Sequence, residues 1–152
     1  MTNATPASNP PQGCQRVIPY LAYEDAPAAI EFLCRAFGFE ERTRLAMPDG
    51  RIGHAELGLG DNALMLASVY EEMGLQSPRH LPAVCGQLLC YVDDVDAHHA
   101  RAKAAGATIA MEPEDQFYGD RLYRALDPEG HHWMFATHLR DVPREDWKVP
   151  EP

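Results

Sequence analysis

Apolar positions along this chain change period, and they do so in the same order twice. Leu21 and Tyr23 alternate with their neighbours as in a short strand. Ile30, Leu33, Cys34 and Phe37 then recur at the spacing of one helix face. The helix has its own punctuation. Asp25 offers a carboxylate to the free N–H groups of the first turn. Pro27 sits where a missing N–H costs little. Gly38 is able to take the left-handed conformation that closes a helix. Three β-prone runs follow, Glu41–Met47, Arg51–Gly58 and Ala63–Ser68. Pro48-Asp49-Gly50 and Gly60-Asp61-Asn62 separate them, which predicts hairpins.

The second half repeats this plan. Tyr20–Phe39 lies over Leu88–Ala107, with Leu21 on Leu89, Tyr23 on Tyr91, Asp25 on Asp93 and Gly38 on Gly106. Further along, with one more residue of offset, Leu57 falls on Leu126, Met65 on Met134, Leu66 on Phe135 and Ala67 on Ala136. The second helix is read from about Asp96 to Ala105 and is rich in alanine. Asp127-Pro128-Glu129-Gly130 leads into a last strand, His132–His138. Each half is therefore β-α-β-β-β and the fold class α+β. The predicted modules span 16–68 and 86–140. The linker, 69–85, has room for a short helical turn around Tyr70–Met73. Residues 1–15 read as a loose tail, and 141–152 as a second tail in which Trp147 is either packed or disordered.

Composition narrows the function. Thirteen Lys and Arg against 23 Asp and Glu give a formal charge of -10. That excludes a phosphate-binding, nucleic-acid surface and an anionic membrane; a neutral or cationic small molecule is easier to accommodate. No apolar run approaches the roughly 20 residues of a membrane span, and the N-terminus has no signal-peptide pattern. Cys14, Cys34, Cys85 and Cys90 form no C-x-x-C pair. They read as reduced thiols of a cytoplasmic protein.

Several strings sharpen the picture: Ile18-Pro19-Tyr20-Leu21, Gly53-His54-Ala55-Glu56-Leu57, Asp115-Gln116-Phe117-Tyr118-Gly119-Asp120-Arg121 and Asp127-Pro128-Glu129-Gly130-His131-His132-Trp133. With the tandem modules, they make the chain resemble the vicinal oxygen chelate superfamily (glyoxalases, bleomycin-resistance proteins, extradiol dioxygenases), and within it the PhnB-like branch. The resemblance covers about Val17 to Val142. It implies curved mixed sheets around a ligand cup, helices outside, and a homodimer whose cups lie between chains or between modules. It also implies four metal-ligand positions, which fall on Ile18 or Pro19, on Met65 or an apolar neighbour, on Gln87 and on Met134. Only Gln87 offers a donor atom, and one neutral amide does not hold a divalent metal. No cofactor is therefore expected.

Strand alternation supplies candidates for the cup lining: Tyr20 and Ala22, His54 and Glu56, Gln87, Leu89 and Tyr91, and His132, Met134 and Ala136. Trp133 and Phe135 point the other way, under a helix. Phe117 and Tyr118 are expected on a loop, as a stacking rim or a dimer contact. His54 and Glu56 share a face, as an orienting or acid–base pair or as a structural one. His98 and His99 are expected to be solvent-facing or packing residues. No G-x-S-x-G elbow, phosphate loop or dinucleotide fingerprint is present. The expected function is metal-independent binding of an aromatic or cationic compound by Tyr20, His54, Glu56, Gln87, Tyr91, Phe117, Tyr118, His132 and Met134. The alternative is a metal-dependent lyase, isomerase or dioxygenase with a displaced site drawn from His54, Glu56, Gln87 and His132. A third reading is a regulatory dimer with an unused cup.

Overall fold

A computed structural model describes residues 5–152. The order of elements is β1 (Tyr20–Tyr23), α1 (Ala26–Phe37), β2 (Glu40–Ala46), β3 (Ile52–Leu59), β4 (Asn62–Ser68), β5 (Gln87–Tyr91), α2 (Val95–Ala104), β6 (Thr108–Asp115), β7 (Asp120–Leu126) and β8 (His132–His138). The strands form two four-stranded mixed sheets, ordered β1-β4-β3-β2 and β5-β8-β7-β6. In each, the first strand pairs in parallel with the last and the other pairs are antiparallel. The fold is α+β.

Helix α1 is built as its spacing predicts. The Asp25 carboxylate accepts from Ala28 N–H at 3.1 Å, and Gly38 closes the helix at φ 78°. Ile30, Leu33 and Phe37 are fully buried. Helix α2 is capped by Asp94, whose carboxylate accepts from Ala97 N–H. The expected start at Asp96 and the match of Asp25 to Asp93 are thus corrected by about one residue.

The same correction applies to the first strand. Tyr20 lies opposite Met65, and Leu89 opposite Met134. Tyr20 therefore answers to Leu89 and Ala22 to Tyr91. The pairing of Leu21 with Leu89 and Tyr23 with Tyr91 is one residue out of register. Repeated Leu and Tyr, with the Asp93-Asp94 doublet, made both registers look alike along the chain. Only the ladder distinguishes them, because a slip of one moves every side chain to the other face.

The helices and one face of each sheet share a single core. Phe37 of α1 packs against Trp133 and Phe135 of β8, with ring centroids 5.4 and 4.7 Å apart. His98 joins the two helices: its Nε2–H donates to the Phe37 carbonyl and its Nδ1 accepts from Tyr123 O–H. It is a packing residue, and burial lowers its pKa. Cys90, also packed against this core, has its thiol pushed up to about 12 by burial.

The string Asp127–Trp133 turns out to be a clasp between modules. Asp127 is buried, and one of its oxygens accepts from the N–H groups of Glu129, Gly130 and His131. The other accepts from Tyr23 O–H at 2.7 Å and Trp133 Nε1–H at 3.1 Å. Glu129, also buried, accepts from the Glu24 and Asp25 N–H groups and from the Ser77 hydroxyl of the linker. His131 donates to the Ala22 carbonyl. A loop that carries its own charge to the partner module needs every carboxylate lone pair used, since an unpaired buried charge costs several kcal/mol, on the order of 3–5.

The linker holds two short 3-10 turns, Glu71–Met73 and Pro78–His80. Both tails make contacts where they are described. Gln15 brackets Ala63 with two hydrogen bonds to its N–H and carbonyl. Trp147 packs against Phe117 and Tyr118, with centroids 6.0 and 5.8 Å apart.

Candidate functional site

No strand of one sheet pairs with a strand of the other among the described residues, and a cavity of about 470 Å³ lies between the modules, lined by Pro19, Leu59 and Asn62 of the first and by Gln87, Leu89 and Tyr91 of the second. The face of each sheet opposite the helices is open. Tyr20 is 49% exposed, Leu45 58%, Leu89 46% and Tyr91 58%. Large apolar side chains at this exposure, gathered on two faces, mark surfaces built to be covered.

The first open face is centred on Met65, with Tyr20 beside it on β1 and Glu56 beside it on β3. Here three of the expected residues meet. Tyr20 O–H donates to His54 Nδ1 at 2.7 Å, and His54 Nε2–H donates to Glu56 at 3.1 Å. Partial burial, then the negative Glu56, pushes the Tyr20 phenol above its ordinary range. The chain of bonds ends on a half-exposed carboxylate that can accept a donor from a ligand. Next to it, a cavity of about 400 Å³ opens between Tyr20, Ala22, Gly53 and Ala67 on the sheet and Tyr70 and Met73 on the linker. The Tyr70 hydroxyl is enclosed without a partner among the described residues.

The second open face is centred on Met134, flanked by Leu89 on β5 and Arg124 on β7. Its polar network uses other strands. Tyr91 O–H donates to Asp120 at 2.7 Å, and His138 Nδ1–H donates to the other Asp120 oxygen at 2.7 Å. His138 Nε2–H donates to Asp141. The Asp120 carboxylate, then Asp141, raises the His138 pKa above its ordinary value. Sequence reading missed Asp120 and Arg124 as members of this face. The alternation Asp120, Leu122, Arg124 along β7 was the available signal, but it needs the Leu122–Ala136 pairing to say which face is open.

Other expected residues are dispersed. Gln87 and His132 lie opposite each other at the start of β5 and β8, beside a groove under Pro82–Gly86. They share no sheet with His54 and Glu56. Phe117 and Tyr118 form neither a free rim nor an open contact surface within the chain, because Trp147 occupies them. Gly119 makes this possible. Its carbonyl accepts from Leu139 and Arg140 N–H, and a Cβ at φ 104° would collide with the Arg140 carbonyl oxygen. His132 to His138 spans the length of β8, so those two histidines serve different ends of the face.

A family model, Glyoxalase/Bleomycin resistance protein/Dioxygenase superfamily, matches residues 16–135. The chain belongs to this superfamily. An uncharacterized protein of Mycobacterium tuberculosis is 37% identical over 127 residues, covering 82% of this chain and 75% of its own. Among solved structures, TioX from a Micromonospora species is 34% identical with a TM-score of 0.66, covering 82% of this chain and 99% of its own. TnmS3, an antibiotic binding protein from a Streptomyces species, shares the fold at 22% identity and a TM-score of 0.62, over 80% of this chain and 93% of its own. The positions that the resemblance assigns to metal ligands carry Ile18 or Pro19, Met65 or a neighbour, Gln87 and Met134. Among the described residues, no group of three His, Cys, Asp or Glu side chains is arranged to hold a metal ion. Two thioethers, an apolar side chain and one amide are not a donor set for a hard or borderline divalent cation, so these residues do not fit the metal.

Proposed function

We propose that this chain is a metal-independent small-molecule-binding protein of the PhnB-like branch, which sequesters an aromatic or cationic compound between open sheet faces. The observation that carries this reading is the pair Met65 and Met134. Each stands at the centre of an open face, at a position where metal-dependent members of the superfamily place a ligand. A methionine there offers a polarizable, adaptable surface to a ring. The cavity beside Tyr20 falls in the range of small-molecule sites, roughly 300–1,000 Å³. The antibiotic binding protein TnmS3 shows that this fold serves such a role elsewhere.

We also propose that the protein works in the cytoplasm as a homodimer, the first face of one copy meeting the second face of the other. Two half-lined open faces then make one enclosed site, and the exposed Leu45, Leu89 and Tyr91 find cover. No helix among the described residues is long and apolar enough to cross a membrane.

The test is a thermal-shift screen of polycyclic aromatic antibiotics, run with and without EDTA, beside elemental analysis of protein purified without chelator. Saturable stabilisation that EDTA leaves unchanged is expected. Stoichiometric zinc, nickel, manganese or iron, required for binding and lost in a His54→Ala, Glu56→Ala double variant, would overturn the reading in favour of a displaced metal centre.

A further inference from the structure

The two open faces carry opposite charges at matching places. Glu56 lies opposite Met65, and Arg124 lies opposite Met134. Glu56 is tied into the bond chain from Tyr20 and His54. Arg124 is tied to nothing: its guanidinium makes no ion pair or hydrogen bond among the described residues. Of the neighbouring cations, Arg121 pairs with Asp96 and Asp115 and Lys103 with Glu112, while Arg101 donates to backbone carbonyls. The chain has 23 acidic residues and a net charge of -10, yet no carboxylate pairs with this arginine among the described residues.

The surroundings of Arg124 are built for one more partner. Across β6 and β8 it faces Met111 and Met134, both half-buried, and its neighbour on the same face of β7 is the buried Leu122. Two acids share this face. Asp120 has each oxygen committed, to Tyr91 and to His138. Glu114 stands opposite Leu122, one step along the ladder from Arg124, and is exposed. Apolar neighbours exclude water from one side of the guanidinium and strengthen any charged bond it makes. A planar fork of donors matches the paired oxygens of a carboxylate, sulfonate or phosphate.

We propose that Arg124 is the anion-anchoring residue of the ligand site: the bound compound carries a carboxylate, sulfonate or phosphate group on an apolar body that lies over Met134. This rests on the small-molecule reading above and replaces its "aromatic or cationic" breadth with one class, an anionic amphiphile. The acidic overall charge does not oppose it, because interactions beyond about 8–10 Å are screened at physiological salt, whereas contact with Arg124 is local.

Two dyes that differ only in the anion test it. 1-Anilinonaphthalene-8-sulfonate carries the sulfonate; N-phenyl-1-naphthylamine is the same ring system without it. Fluorescence titration of the native protein is expected to show the sulfonate binding more tightly than the neutral dye. Arg124→Gln is expected to weaken the sulfonate about tenfold or more and leave the neutral dye unchanged, and Arg124→Lys to restore part of the loss. Arg35→Gln, the same loss of charge on the exposed side of α1, should not weaken the sulfonate. Arg124 is exposed, and an unchanged melting temperature checks that the variants stay folded. Equal sulfonate affinity in native protein and Arg124→Gln, with the neutral dye still binding, would overturn the anchor and spare the small-molecule reading. Failure of both dyes on folded native protein would overturn both. If Arg124→Gln dissociates an oligomer in sedimentation while sulfonate affinity holds, the arginine belongs to an ion pair between copies and the proposal fails.

Discussion

Module one and module two place the same backbone under different side chains. Met65 and Met134 occupy one site, Ala67 and Ala136 the next, yet Ala22 is answered by Tyr91 and Glu56 by Arg124. The polar networks are assembled differently as well, from β1 and β3 in the first module and from β5, β7 and β8 in the second. Backbone and central thioether are thus repeated, and the groups that would address a ligand are not. The difference extends to the turn before the last strand. In module one it is the short, exposed Gly60-Asp61. In module two it is the Asp127–His131 clasp that reaches into the other module.

The clasp gives the largest expected contrast. Asp127→Ala removes the acceptor for three backbone N–H groups, a tyrosine and a tryptophan; it should cost about 3 kcal/mol or more of unfolding free energy in urea denaturation. Asp61→Ala, at the matching but exposed turn, should stay within about 0.5 kcal/mol. Similar losses at the two sites would mean that the clasp is not what joins the modules.

Glycines sharpen the comparison at smaller scale. Gly119→Ala introduces a Cβ at positive φ against the Arg140 carbonyl, and a loss of about 2 kcal/mol is expected. Trp147 fluorescence should shift red as the tail leaves Phe117 and Tyr118. Gly60→Ala in module one, at φ 56° with open space around it, should cost only about 1 kcal/mol and leave Trp147 fluorescence unchanged.

The smallest effect is on pH. His98 has its folded pKa lowered by burial, so protonation favours the unfolded chain. Its stabilising contribution is complete above the unfolded value, about 6.5, and declines as pH falls below it. Stability measured from pH 7.5 to 5 should therefore fall less steeply in His98→Gln than in the native chain. Helix α1 has Ala29 at the corresponding place, counting from the caps Asp25 and Asp94, and contributes no such slope. An unchanged slope in the variant would show that another group governs the acid limb.

Much of this was legible along the chain. The change from a two-residue to a helical period located both helices, and the Asp, Pro and Gly clusters located the hairpins, because these depend on neighbours a few residues apart. Alternation correctly sent Trp133 and Phe135 to the core and Tyr20, His54 and Glu56 to one face. What the chain could not disclose was whatever depends on which strand lies beside which. The register that matches Tyr20 to Leu89, the bond from Tyr91 to Asp120 across β8, the clasp of Asp127 and Glu129, and the tail that covers Phe117 join residues distant in sequence. Such pairings are decided by shared burial and by hydrogen-bond satisfaction in three dimensions, and only the tertiary structure brings Glu56 and Arg124 to matching places on two open faces.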